Sequence, residues 1–167
     1  MKILKITFLV FSFFAISFLS AQEKLKSPAE KITGTINGAS IQINYGSPSV
    51  RGRKIWGELV PFGQIWRAGA NEATTFETDK ELMIEGTKLP AGKYSFFVIP
   101  SLTECIIVFN KDAKQWGAYK YKQKEDQLRV TVKPQVLSTN VEKLVYVINS
   151  DNVALSWENW NIIFSVK

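Results

Sequence analysis

At 167 residues, with 46% hydrophobic and 13% aromatic side chains, the chain supports one domain with an ample core. It carries 21 basic and 15 acidic residues, a mild excess compared with nucleic-acid binders, which concentrate far more charge on one face. With 1 Cys and 0 His it has no internal disulfide, no Ser-His or Cys-His catalysis and none of the imidazole-based zinc or copper sites.

The opening MKILKITFLVFSFFAISFLSA has the layout of a secretory signal peptide: Lys2 and Lys5 ahead of an apolar run from Ile6, then small residues at Ser20-Ala21. The run is shorter than the roughly 20 apolar residues that span a bilayer, so a retained anchor fits less well. Cleavage after Ala21 is expected, with residues 1–21 removed and 22–167 exported to the periplasm or beyond. Loss of Lys2 and Lys5 takes 21 basic residues to 19 against 15 acidic, a net +4. No membrane span then remains, and no nucleic-acid partner is expected.

From Ser27 the pattern is strand and turn. Lys31–Ile36 and Ser40–Tyr45 flank Asn37-Gly38, a strong hairpin signal, with Ile41, Ile43 and Tyr45 on one face. A long irregular stretch follows, about residues 46–72, in which Lys54–Leu59 could make one helical turn. Alternation resumes at Ala73, and Leu82–Glu85 is expected to pair back across Asp79-Lys80. Leu89-Pro90-Ala91-Gly92 fits a type I turn. Tyr94–Ile99 and Glu104–Phe109 are apolar on both faces and predict central strands. Cys105, in the second of these, is expected to be a buried, unreactive thiol rather than a reactive one.

Asn110–Tyr121 is polar and predicts a short helix or ordered loop. Leu128, Val130 and Val132 alternate with polar residues, as in a strand with one wet face. Three further strands are expected over Lys143–Asn149, Val153–Trp157 and Trp160–Val166, with turns at 150–152 and at Glu158-Asn159. Asn149–Asn152 offers oxygen ligands but lacks the glycine and distal Glu of a dedicated calcium loop, so a plain turn is expected. Many short strands with almost no helical period predict an all-β, single antiparallel β-sandwich with one long ordered loop.

That loop, YGSPSVRGRKIWGELVPFGQIWRAGANEATTF, gathers the candidate site: Arg51, Arg53, Lys54, Trp56, Arg67, Asn71 and Glu72. Guanidinium groups fork onto carboxylate or phosphate, Asn and Glu fix hydroxyls, and Trp56 and Trp66 offer flat apolar faces suited to sugar rings. The structural alternative pairs Arg67 with Glu72 to close the loop and buries both tryptophans. Acid–base chemistry rests on carboxylates alone. Glu72 and Asp126 would have to flank a bond, whereas Asp126 in KQKEDQ reads more simply as a solvated turn residue. Ser47 and Ser49 lack the spacing to Lys54 of a Ser-Lys nucleophile.

The blocks RGR, WR-x-GANEAT and PAG-x-Y, together with VFNKDAKQWGAY and a closing tryptophan-containing strand pair, resemble the domain of unknown function 2911 family across nearly the whole mature chain. Ser47 departs from the basic residue often found there. The resemblance implies an exported β domain and no activity. The function expected from the residues is a non-catalytic binding or interaction domain that presents the Arg67 loop to a glycan or small anionic ligand, with no cofactor or metal. A hydrolase using Glu72 and a structural envelope protein are the alternatives.

Overall fold

The computed structural model describes residues 26–167; the leader expected over 1–21 lies outside the described residues. Of ten strands, eight form two facing sheets and two a separate hairpin. The larger sheet comprises β1 (Ala29–Ile36), β2 (Ala39–Gly46), β3 (Thr74–Thr78), β6 (Gly92–Pro100), β7 (Cys105–Asn110) and β8 (Asp126–Val132), antiparallel throughout and side by side in that order. Opposite lie the long strands β9 (Gln135–Ile148) and β10 (Asn152–Ser165). The hairpin of β4 (Leu82–Ile84) and β5 (Thr87–Leu89) docks on the end of β10, where Met83 and Lys167 exchange backbone bonds of 2.7 and 2.9 Å. On the far side, β9 bonds the segment around Ser49 through Leu144 N to Pro48 O and Val50 N to Glu142 O.

Local sequence accounts for most of this. Asn37 and Gly38 both take positive φ (49° and 76°), as a type I′ hairpin requires. Ile41, Ile43 and Tyr45 all face the core. The two central strands are buried on both faces, as their unbroken apolar runs predict. Phe96, Phe109 and Phe76 meet Phe164 of β10 in the interior, while Phe97 and Val108 point outward beneath Ala73, Ile65, Ala118 and Tyr121. Cys105 is fully buried in the inner core, and loss of hydration pushes its thiol up to about 11.

Three expectations are corrected. Leu82–Glu85 does not pair back onto β3. It pairs forward with β5 through Glu85-Gly86, again at positive φ, while Asp79 accepts the Ser40 N–H (2.7 Å) from β2. Lys54–Leu59 forms turns without a helix, held by bonds such as Val60 N to Ile55 O. Glu158-Asn159 is not a turn but a bulge inside one continuous β10, with Glu158 at φ 52° and register shifts on either side. Val153, Leu155 and Trp157 face the core before it, and Trp160, Ile162, Phe164 and Val166 after it. The change of phase that resembles a chain reversal is absorbed within the strand. In addition β9 starts at Gln135 rather than Lys143; its first half is largely exposed and so shows no alternation.

Candidate functional site

The irregular segment between β2 and β3 divides into two halves with different tasks. The first half is bolted to the second sheet. Arg51 donates from its guanidinium to Lys26 O and receives Glu142 Oε1 at its backbone N–H (3.0 Å). Arg53 caps the carbonyls of Val50 (3.0 Å) and Ser49 (2.6 Å). Lys54 pairs with Glu58 at 3.4 Å, both well exposed, a contact worth little in water. Trp56 is only 5% exposed and donates Nε1–H to Trp157 O. It stacks on Trp160 (4.6 Å, 13°) and meets Trp66 edge-on, while Trp66 stacks on Trp157. The bulge at Glu158 is what turns both Trp157 and Trp160 inward to receive them, and Glu158 Oε1 accepts the Ile55 N–H. Trp56, a candidate to offer a flat face to a ligand, is therefore a plug of the core, and half-buried Trp66 packs against that core as an anchor of the loop.

The second half begins where Trp66 replaces the shortened β3 beside β6, exchanging two 2.9 Å backbone bonds with Val98. Ala68 O then accepts from both Tyr146 Oη (2.7 Å) and Thr74 Oγ1 (2.9 Å). Asn71 takes a left-handed φ of 65° and donates its amide to Ser27 O, so it ties down the chain entry. Its neighbour Glu72 pairs with Trp116 in a short antiparallel ladder flanked by Gly117 N to Asn71 O (3.0 Å) and Ala73 N to Gln115 O (2.9 Å). In that register the two residues are a close non-hydrogen-bonded pair, so their side chains stand together on one face. Glu72 precedes β3 and is exposed.

Arg67 stands next to this ladder. A Cβ built on Gly117, itself at φ 65°, would fall 3.2 Å from Arg67 Nη1 and 2.9 Å from the Tyr119 ring. The guanidinium and the aromatic ring therefore converge on the one residue that leaves them room. Arg67 Nε is buried without a hydrogen-bond partner, and among the described residues neither Arg67 nor Glu72 makes an ion pair. The Arg67–Glu72 closure of the structural alternative is thus not formed. Trp116 is 62% exposed and Tyr119 85%.

The loop that carries these aromatics is rigidly framed. Gln115, adjacent to Trp116, donates Nε2 to Asn110 Oδ1 and Asp112 O, which leaves its buried Oε1 unpartnered. Both bonds go to acceptors, which fixes the amide orientation. Asn110 in turn donates to Asp126 Oδ1 (2.8 Å) and Lys122 O. Asp126 Oδ2 accepts from Tyr121 Oη (2.6 Å) and Arg129 Nε (2.7 Å). Asp126 is therefore no solvated turn residue: its side chain is 7% exposed and both oxygens are engaged. Burial raises the Tyr121 hydroxyl, and the Asp126 carboxylate beside it pushes the same way.

Of the expected residues, then, Arg67, Asn71 and Glu72 come together, while Arg51, Arg53, Lys54 and Trp56 serve the other half of the loop. Trp116 and Tyr119 were missed. The signal for them was present, since KQWGAYK sets two aromatics among polar residues with no apolar period to bury them. A surface trough of about 450 Å³ lies elsewhere, along β1–β3 beside Thr33, Thr35, Gln42 and Glu77. It is open and touches none of the expected residues. Among the described residues no group of acidic, Cys or His side chains could hold a metal ion, and no helix is long and apolar enough to cross a membrane.

No curated protein and no solved structure matches the chain. A family model does, over residues 27–166, which takes in every strand and both loops described above. The chain belongs to the family described as "Protein of unknown function (DUF2911)".

Proposed function

We propose that the protein is an exported, non-catalytic binding domain that presents the surface around Arg67 to a glycan or a small anionic ligand. The observation that carries this reading is the pair of solvent-facing aromatics, Trp116 and Tyr119, next to an arginine with no ion-pair partner among the described residues. Large aromatics left in water on a framed loop are poor for folding and good for recognition, since they offer contact area at little ordering cost. The hydrolase alternative is less well supported: a glycosidase needs two carboxyls flanking the bond, and both oxygens of Asp126 are already engaged.

A thermal-shift screen of the purified protein against glycans, peptidoglycan fragments and small organic anions tests the reading. A stabilising ligand whose effect disappears in Trp116→Ala supports it. A screen without hits, or hits indifferent to Trp116, points instead to a structural envelope role. Export is tested by intact mass of the envelope fraction, where Gln22 is expected as the first residue.

A further inference from the structure

We propose that the ligand is a carboxylate-bearing sugar, a uronate-type ring, bound across Glu72, Trp116, Arg67 and Tyr119; this rests on the binding reading above. Each group presents a different chemical demand, and the class of ligand follows from meeting all of them. Trp116 and Tyr119 present exposed rings to solvent, which match the C–H face of a pyranose. Glu72 is an acceptor-only carboxylate beside Trp116, so it calls for hydroxyl donors at the edge of a ring lying on the indole. Arg67 makes no ion pair among the described residues, and a guanidinium is a planar fork of donors that matches a carboxylate bidentately, here through its Nη end because Nε is buried.

Simpler ligands leave one of these unused. An inorganic anion has no apolar face for the aromatics and no ring hydroxyls to donate to Glu72. A neutral sugar gives Arg67 no counter-charge. The surface is also prepared in advance. Trp116 follows directly on Gln115, which is locked to Asn110 and through it to Asp126, and the backbone of Gly117 is bonded to Asn71. Binding therefore orders little that is not already ordered. Gly117 is the keystone of the arrangement: any side chain there is strained at φ 65° and displaces the ring of Tyr119 or the guanidinium.

Isothermal titration of the purified protein with a tetrauronate, with its carboxyl-reduced neutral analogue and with inorganic phosphate tests the proposal. The tetrauronate should bind about tenfold or more tightly than the neutral analogue, the value of a charge-assisted fork. Arg67→Met should erase that preference, Trp116→Ala should abolish binding of both sugars, and phosphate should give no heat. Unchanged urea midpoints show that these variants still fold. Equal affinity for acid and neutral sugar, or a preference that survives Arg67→Met, overturns the uronate assignment while leaving the binding surface in place. Phosphate binding as tight as the tetrauronate overturns it too. Absence of binding to either sugar overturns it as well, and the broader ligand screen then decides separately whether the surface binds anything.

Discussion

Four of the five tryptophans and the remaining one occupy opposite environments. Trp56, Trp66, Trp157 and Trp160 interlock through two stacked pairs and two edge-on contacts, with the loop supplying two and β10 the other two. Trp116 lies on the facing loop with most of its surface in water. The first group shows how a long irregular segment can be ordered without secondary structure: its aromatics are inserted into the sandwich, and its arginines close off carbonyls that no ladder reaches. The second shows that the same residue type, held by a polar frame instead of a core, is left available to solvent. Position relative to the sheets, rather than residue type, separates scaffold from candidate recognition surface.

The contrast can be broken by substitution, and the largest effect is expected in the buried group. Trp66→Ala removes a stack, an edge contact and the packing behind the Val98 bonds, and should cost about 3 kcal/mol in a urea titration. A loss below about 1 kcal/mol would mean that the loop is held by its backbone bonds alone. Asp126→Ala tests the polar frame. It strands Asn110, Tyr121 and Arg129 at once, and should cost about 2 kcal/mol while loosening Trp116, read as a fall in its fluorescence anisotropy.

Alkaline pH sharpens the core side of the comparison. The Cys105 thiol titrates higher in the folded chain, at about 11, than its ordinary value of 9.0, so the neutral form is favoured by folding. Its contribution is complete below pH 9 and is lost as pH rises towards 11, on the order of 2 kcal/mol. Tyr146, buried and also raised, falls away in the same direction. The urea midpoint should decline over that window, and less so in Cys105→Ala. A thiol reagent should leave the native protein unlabelled and react with Cys105 only after denaturation. The smallest effects belong to exposed Trp116 and half-buried Arg67: Arg67→Ala and Trp116→Ala should each move stability by no more than about 0.5 kcal/mol, since neither side chain makes a hydrogen bond or ion pair among the described residues that the change would break. Trp116→Ala should also remove the iodide-quenchable share of tryptophan emission. If Arg67→Ala destabilises as much as Trp66→Ala, Arg67 is scaffold.

Much of the fold was legible because period and turn chemistry agree. Asn37-Gly38 announces its hairpin, and the unbroken apolar runs of β6 and β7 announce strands covered on both faces. The errors came where one pattern has two geometric solutions. A break in alternation at Glu158-Asn159 fits a turn or a bulge, and only the partner strand decides. Leu82–Ile84 is too short for its pattern to say whether it pairs backward or forward. The site was half legible. Arg67 and Glu72 stood out by type and place, but burial is a property of the assembled sheets, so the sequence could not tell that Trp56 goes in and Trp116 stays out. The Asn110–Asp126 frame was equally hidden, because it joins residues that look like ordinary turn formers.

The bulge in β10 also sets how this strand can change in length. Core-facing residues occupy odd positions up to Trp157 and even positions from Trp160 onward. Deleting one residue at Glu158 or Asn159 would restore a single parity and leave every core side chain on its own face. The same deletion elsewhere in the strand would turn one half of that row towards solvent. The chain thus has one point where its residue count is negotiable. That point is also where the Glu158 carboxylate reaches Ile55, so a shorter strand would keep its interior and lose one of its holds on the loop.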